Sequence, residues 1–128
     1  MKKEIITYRD PKSPISEIFR TLRTTIQFTN TKKGLKSLLV TSTSPSEGKS
    51  WVSANLAVAF AQAGKKVILV DCDMRKGRQF SIFNVAPTPG LSNFLSGINS
   101  NGEDSNPNIL SYIKETEVEN LYIITAGN

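Results

Sequence analysis

Lys49 follows a glycine and precedes a serine, within the run Thr43-Ser44-Pro45-Ser46-Glu47-Gly48-Lys49-Ser50. The run fits the phosphate-binding pattern G-x-x-x-x-G-K-[ST] except at its first position, where threonine stands for glycine. Residue types in this order suit one task. Backbone amides of the loop and of the following helix start converge on phosphate oxygens, assisted by the helix dipole. Lys49 brings an ammonium to the β/γ oxygens, Ser50 presents a hydroxyl to Mg²⁺, and Gly48 lets the backbone approach closely. Nucleotide contact is therefore assigned to Ser44, Pro45, Ser46, Glu47, Gly48, Lys49, Ser50 and Trp51. A solvated turn is the plainer reading of so short a triplet. The flanking strand and alanine-rich helix argue against it.

A second candidate is the pair Asp71-x-Asp73, at the end of an apolar run. The carboxyl end of a parallel strand is where ligands bind in open sheets. Alternate residues of an extended segment share a face, so both carboxylates could address one Mg²⁺ or its waters. One could also accept a proton from an attacking hydroxyl. A cap or solvated turn is the structural alternative. Arg75, Lys76 and Arg78 follow and could meet phosphates, a neighbouring subunit or only water. Cys72, between the acids, is expected to be a small buried spacer and not a nucleophile. The absence of histidine, with one cysteine, argues against zinc or a His-dependent triad.

The elements that must hold these groups follow from periodicity. Ser13-Pro14 opens a helix, with serine as cap and proline at the first helical position. Ile15, Ile18, Phe19, Leu22 and Ile26 then form one apolar stripe, and Glu17, Arg20 and Arg23 recur on a neighbouring face. The residues from Thr29 to Gly34 link this helix to a short run, Ser37–Thr41, expected to be a buried parallel strand. Ser50–Ala63 reads as a helix packed on most sides and stopped by Gly64. Val67–Asp71 reads as a second buried strand, making a right-handed βαβ unit. Further on, a short helix over Leu91–Leu95 ends at Gly97, and residues 99–108 form a polar loop. Ile109–Ile113 is helix or strand, and Leu121–Thr125 is a third strand, with Tyr122 more plausible as core than as phosphoacceptor. The chain divides into a basic segment with its helix, 1–36, and a partial nucleotide-binding domain, 37–128. The expected fold class is α/β, a P-loop NTPase-type parallel sheet flanked by helices.

Composition narrows the classes further. In 128 residues, 16 Lys+Arg stand against 11 Asp+Glu, and 38% of residues are hydrophobic, an ordinary globular balance. No apolar run reaches membrane-span length, and the first residues lack an apolar signal-peptide core. The chain is therefore expected to be intracellular. Residues 1–36 hold nine Lys/Arg and three acids, so the positive charge is localised. Such an end could meet an acidic partner, a membrane face or another subunit. Nucleic acid is not an expected partner, since aromatic interleaving and a repeated basic face are both missing.

Three segments together resemble a family. Ser16-Glu17-Ile18-Phe19-Arg20-Thr21-Leu22-Arg23-Thr24-Thr25-Ile26 is similar to the helix preceding the P-loop in bacterial tyrosine kinases of capsular and exopolysaccharide systems. Leu39-Val40-Thr41-Ser42, Glu47-Gly48-Lys49-Ser50 and Ala54-Asn55-Leu56-Ala57 resemble its Walker A region. Val67 to Lys76 resembles the acidic Walker A′ motif. The resemblance implies a cytoplasmic autokinase that passes the γ-phosphate of Mg-ATP to tyrosines on a neighbouring subunit. Lys49, Asp71 and Asp73 would be catalytic, and Ser50, Asp71 and Asp73 would hold Mg²⁺. Glu17, Arg20 and Arg23 match an E-x-x-R-x-x-R pattern that joins subunits in a homo-oligomeric ring. Implied partners are a transmembrane chain-length regulator that activates the kinase at the inner membrane face, and a phosphotyrosine phosphatase.

Ser46 stands where that family usually has glycine, and Gly77 where it has proline. The family also continues into a Walker B strand, lying between the P-loop strand and the Asp71 strand, and into a tyrosine-rich tail. The expectation is accordingly the N-terminal portion of a longer kinase, or a truncated frame that ends before the Walker B strand. Two further functions compete. One is a nucleotide-dependent regulatory switch of the same superfamily, disfavoured because Thr43-Ser44-Pro45 lacks an early lysine. The other is an inactive remnant that keeps only the subunit-contact helix.

Overall fold

The computed structural model describes residues 5–29, 36–40, 48–98, 101–104 and 107–128. Ser13 Oγ accepts from the Ile15 amide at 3.2 Å, capping α2 (Pro14–Thr29) as the serine–proline pair requires. Ahead of it lies a turn of helix the sequence reading did not anticipate, α1 (Ile6–Arg9). Then comes α3 (Lys49–Gln62), followed by β1 (Val67–Val70), α4 (Gln79–Phe83) and α5 (Leu91–Ser96). A 3-10 turn over Ile109–Tyr112 resolves the ambiguous segment, and β2 (Lys114–Glu115) and β3 (Leu121–Ile124) complete the order. Among the described residues, no helix is long and apolar enough to cross a membrane.

The sheet is mixed, with order β1-β3-β2. β1 runs parallel to β3, pairing Val67 with Leu121 and Val70 with Ile124, while β2 is antiparallel on the other side of β3. The architecture is a P-loop NTPase-like α/β fold, though the expected all-parallel sheet is not what forms. Thr116, in the short link after β2, ties that link to β3 by donating its hydroxyl to Leu121 O at 2.9 Å.

α3 lies at the centre. One face (Ala54, Ala57, Val58 and Ala61) joins the core with Ile82, Phe83, Leu121, Ile123 and Ile5, against Val67 and Leu69 of β1. Another face, Leu56 and Ala59, packs with Phe19 of α2. Small residues on α3 allow this close approach. Full burial of Phe83, Ile5, Leu121 and Ile123 contributes about 1.5–3 kcal/mol each before the entropy cost of folding. Ile5 thus belongs to the core although the sequence places it within a basic segment.

Three expectations change here. The run Ser37–Thr41 is no buried strand: Ser37–Val40 forms no ladder, Leu38 and Leu39 are exposed, and Thr41 lies outside the described residues. A strand needs a hydrogen-bonding neighbour, and β1 pairs only with β3 among the described residues, so the βαβ ladder is not formed there. β1 itself is buried on one face only. Val67 and Leu69 turn to α3, while Ile68 and Val70 remain exposed on the side that no helix covers. Lastly, the stripe on α2 is divided. Phe19 is buried with Ile26 packed beside it, but Ile15, Ile18 and Leu22 face solvent, because α3 supports only one side of α2. The link expected to run from Thr29 to Gly34, apart from Thr29, and parts of the polar loop 99–108, lie outside the described residues.

Candidate functional site

Gly48 has φ +84°, the left-handed region, and stands as N-cap of α3. A side chain there would be strained whatever the surrounding space, so the glycine answers a backbone requirement. Its carbonyl accepts from the Val52 amide at 2.9 Å, starting the helix on Lys49, Ser50 and Trp51. The amides of those three residues lie in the first turn and need partners from outside the helix. Ser44, Pro45, Ser46 and Glu47 lie outside the described residues.

Asp71 emerges from the end of β1 and turns inward, buried, while Cys72 and Asp73 are exposed. The buried spacer expected of Cys72 is therefore corrected. Alternation past Val70 sends residue 71 in and residue 72 out. Asp71 Oδ1 accepts from the Asp73 amide at 3.1 Å and Oδ2 from the Gln79 amide at 3.1 Å. Asp73 Oδ1 accepts from the amides of Arg75 and Lys76 at 3.3 and 3.0 Å, closing the turn 74–76. The two carboxylates differ in role: Asp71 is the enclosed acceptor, Asp73 the cap of an exposed turn. Gly77 lets this turn close. A Cβ there would lie 2.6 Å from Ala126 Cβ, 2.9 Å from Asp73 O and 3.1 Å from Asp71 Oδ2.

Gln79 joins the two halves, and sequence reasoning missed it. Its Nε2 donates to Ser50 O at 3.1 Å and to Ser53 Oγ at 3.4 Å, while its amide holds Asp71. The first turn of α3 and the end of β1 are thus linked through one buried residue, by its side chain on one side and its backbone amide on the other. Only its place six residues after Asp73 hinted at this. Among the described residues no three His, Cys, Asp or Glu side chains cluster as a metal cage. The donor set that does come together, the Ser50 turn and the Asp71 carboxylate, consists of hard oxygen ligands. That suits Mg²⁺ arriving with phosphate oxygens and water, so the residues fit the implied cation.

Residues 38–87 match the family model described as the CobQ/CobB/MinD/ParA nucleotide binding domain. The chain is 48% identical over 117 residues to a putative tyrosine-protein kinase, CapB, of Staphylococcus aureus, covering 91% of this chain and 48% of that protein. It is 46% identical over 95 residues to tyrosine-protein kinase YwqD of Bacillus subtilis (strain 168), covering 74% of this chain and 40% of that one. The crystal structure of the chimerical protein CapA2B2 superposes with a TM-score of 0.82 at 41% identity, covering 99% of this chain and 52% of that chain. Over most of its length the chain is similar to bacterial tyrosine kinases.

It spans 48% of CapB, 40% of YwqD and 52% of the CapA2B2 chain. The remaining assigned residues take these positions. Trp51, expected at the nucleotide, turns its ring edge-to-face onto Phe19 of α2, 5.2 Å between centroids, and leaves its amide at the helix start. Glu17 and Arg20 pair on the surface at 2.6 Å, and Arg20 also reaches Pro11 O at 2.6 Å. Arg23 turns inward, donating from Nη1 to Ala59 O at 3.0 Å. Of the tyrosines, Tyr112 is buried against Phe94, Tyr122 is half-buried with Lys66 Nζ 5.7 Å above its ring, and Tyr8 is exposed.

Proposed function

We propose that this chain supplies the ATP-binding part of a protein-tyrosine kinase that regulates capsular or exopolysaccharide synthesis and export. The observation that carries this reading is the link through Gln79 between Asp71 and the α3 turn holding Lys49 and Ser50. Similarity to proteins named tyrosine-protein kinases supports it. Lys49 neutralises and orients the transferred phosphate, and the α3 amides hold phosphate oxygens. Ser50 and Asp71, with Asp73 beside them, would hold Mg²⁺, which when bound disperses charge on the β- and γ-phosphates. Asp71 is the enclosed carboxylate that accepts a proton from an incoming tyrosine hydroxyl. Catalysis of this kind depends on positioning and charge neutralisation more than on covalent chemistry.

The reading carries an oligomer and a location with it. The solvent face of α2, with Glu17, Arg20 and the exposed Ile15, Ile18 and Leu22, supports a subunit contact in a ring. The basic first 36 residues suit a cytoplasmic protein drawn to the inner membrane face by a transmembrane chain-length regulator, with a phosphotyrosine phosphatase as counterpart. A second reading, a nucleotide-dependent switch, is favoured by the family model that residues 38–87 match.

Incubation of the purified chain with γ-labelled ATP separates the two. Label on tyrosine supports the kinase, and phosphate released to solvent supports the switch. Neither outcome, together with no nucleotide binding, sinks both.

A further inference from the structure

Gln79 is 4% exposed, yet its Oε1 has no hydrogen-bond partner, whereas its Nε2 is engaged by the Ser50 carbonyl. The carbonyl fixes which end of the amide is which, since only the nitrogen can donate to it. A buried acceptor left without a donor is costly, and such atoms are usually completed by an ordered water or a ligand. Gln79 sits beneath the first turn of α3, with Asp71 held by its own amide. The missing partner must be a donor. Phosphate oxygens only accept, so the phosphates of a nucleotide cannot fill this place beneath the α3 turn, while water polarised by a divalent cation donates strongly.

We propose that Gln79 is a positioning residue for the hydrated cation that accompanies the nucleotide. Its Oε1 accepts a hydrogen bond from a water in that cation's shell, while its Nε2 and backbone amide hold the Ser50 turn and Asp71 in place. The proposal rests on reading this site as a nucleotide–phosphate site. It predicts an effect confined to the magnesium-dependent part of binding, which a general packing role would not produce.

The test is titration of the full 128-residue chain with a fluorescent methylanthraniloyl-ATP, once in magnesium and once in EDTA, beside thermal melts. Gln79→Met removes the acceptor together with the Nε2 bond to Ser50 O, and is expected to shrink the ratio of the two affinities roughly three- to ten-fold, the range of one hydrogen bond, beyond any loss shared by both buffers. Ser53→Ala, which removes the 3.4 Å contact with Gln79 Nε2 and the Ser53 hydroxyl's bonds to Lys49 O and Ser50 O but keeps Gln79 Oε1, is expected to leave the ratio unchanged. Should Gln79→Met melt too early for titration, Gln79→Asn, one methylene shorter, is expected to lose the ratio in the same way. Equal losses in both buffers, or an unaltered ratio, overturn the role of Gln79 alone. A wild-type chain that binds no methylanthraniloyl-ATP in magnesium overturns the nucleotide reading and this proposal together.

Discussion

The backbone amide and the hydroxyl of Thr7 both donate to Oδ1 of Asn55, at 3.1 and 2.9 Å, across 48 residues of chain. Both residues are fully buried, and Asn55 Nδ2 donates on to Trp51 O at 2.9 Å. Gln62 closes the other side, donating to Thr7 O at 3.0 Å. A four-residue helix as short as α1 is not stable alone, so these bonds and the burial of Ile5 fasten it to α3. The helix that begins at Lys49 is braced by the segment around Thr7.

Asn55→Ala should destabilise the fold by about 1–3 kcal/mol, since it takes the side-chain acceptor from the buried Thr7 amide and leaves the hydroxyl only Asn55 O at 3.5 Å. Thr7→Val, which keeps the backbone bond and the shape, should cost about 1 kcal/mol. Urea denaturation of both single variants and the double variant checks the pair. Additive losses would show that the two side chains do not act on each other.

Lys49→Ala should abolish nucleotide binding while leaving the melting temperature close to that of the parent. Lys49 is partly exposed at the first position of α3, and no core contact depends on it. Calorimetric titration with ATP decides the matter, and unchanged affinity removes Lys49 from its role.

Gly77→Ala should lower stability by about 1–3 kcal/mol through overpacking. Two of the three close neighbours, Ala126 Cβ and Asp73 O, are short or backbone groups that cannot swing away. Because the third is Asp71 Oδ2, nucleotide affinity should fall as well. A variant with parental stability and affinity would show that the 74–76 turn yields freely.

On α2 the two kinds of residue should separate. Arg23→Ala should destabilise the chain, because the guanidinium packs inward and bonds to the end of α3. Ile18→Glu, at a side chain 65% exposed, should change stability by less than about 0.5 kcal/mol. If α2 joins subunits, Ile18→Glu should nonetheless lower self-association in sedimentation velocity. An identical sedimentation profile retires α2 as a contact.

Burial lowers the pKa of Lys114 from its ordinary 10.5. The unfolded chain then holds its proton to higher pH than the folded chain, so stability rises with pH between the folded value and 10.5. Below that window the charged amine weighs against folding. Chemical denaturation of the parent and of Lys114→Met across alkaline pH should show the parent gaining on the variant as the window is crossed. Parallel profiles would contradict the burial effect.

Local physics made much of the chain legible before folding was considered. Serine then proline started α2, an alanine-rich run made α3 a helix packed on several faces, and the short apolar runs Val67–Val70 and Leu121–Ile124 marked β1 and β3. Glycine before lysine and serine marked the start of α3 as the candidate phosphate end, because phosphate contact by backbone amides needs a close approach. Tertiary structure alone decided the rest. Leu38 and Leu39 are as apolar as any strand, but a strand exists only where a neighbour accepts its hydrogen bonds. Ile18 and Phe19 look alike in sequence, and only the position of α3 sends one to solvent and the other to the core. Ile5, Thr7 and Gln79 carry no local signal of their roles, since what they do depends on groups tens of residues away. Propensity and periodicity are properties of neighbours along the chain, and burial and hydrogen-bond completion are properties of neighbours in space.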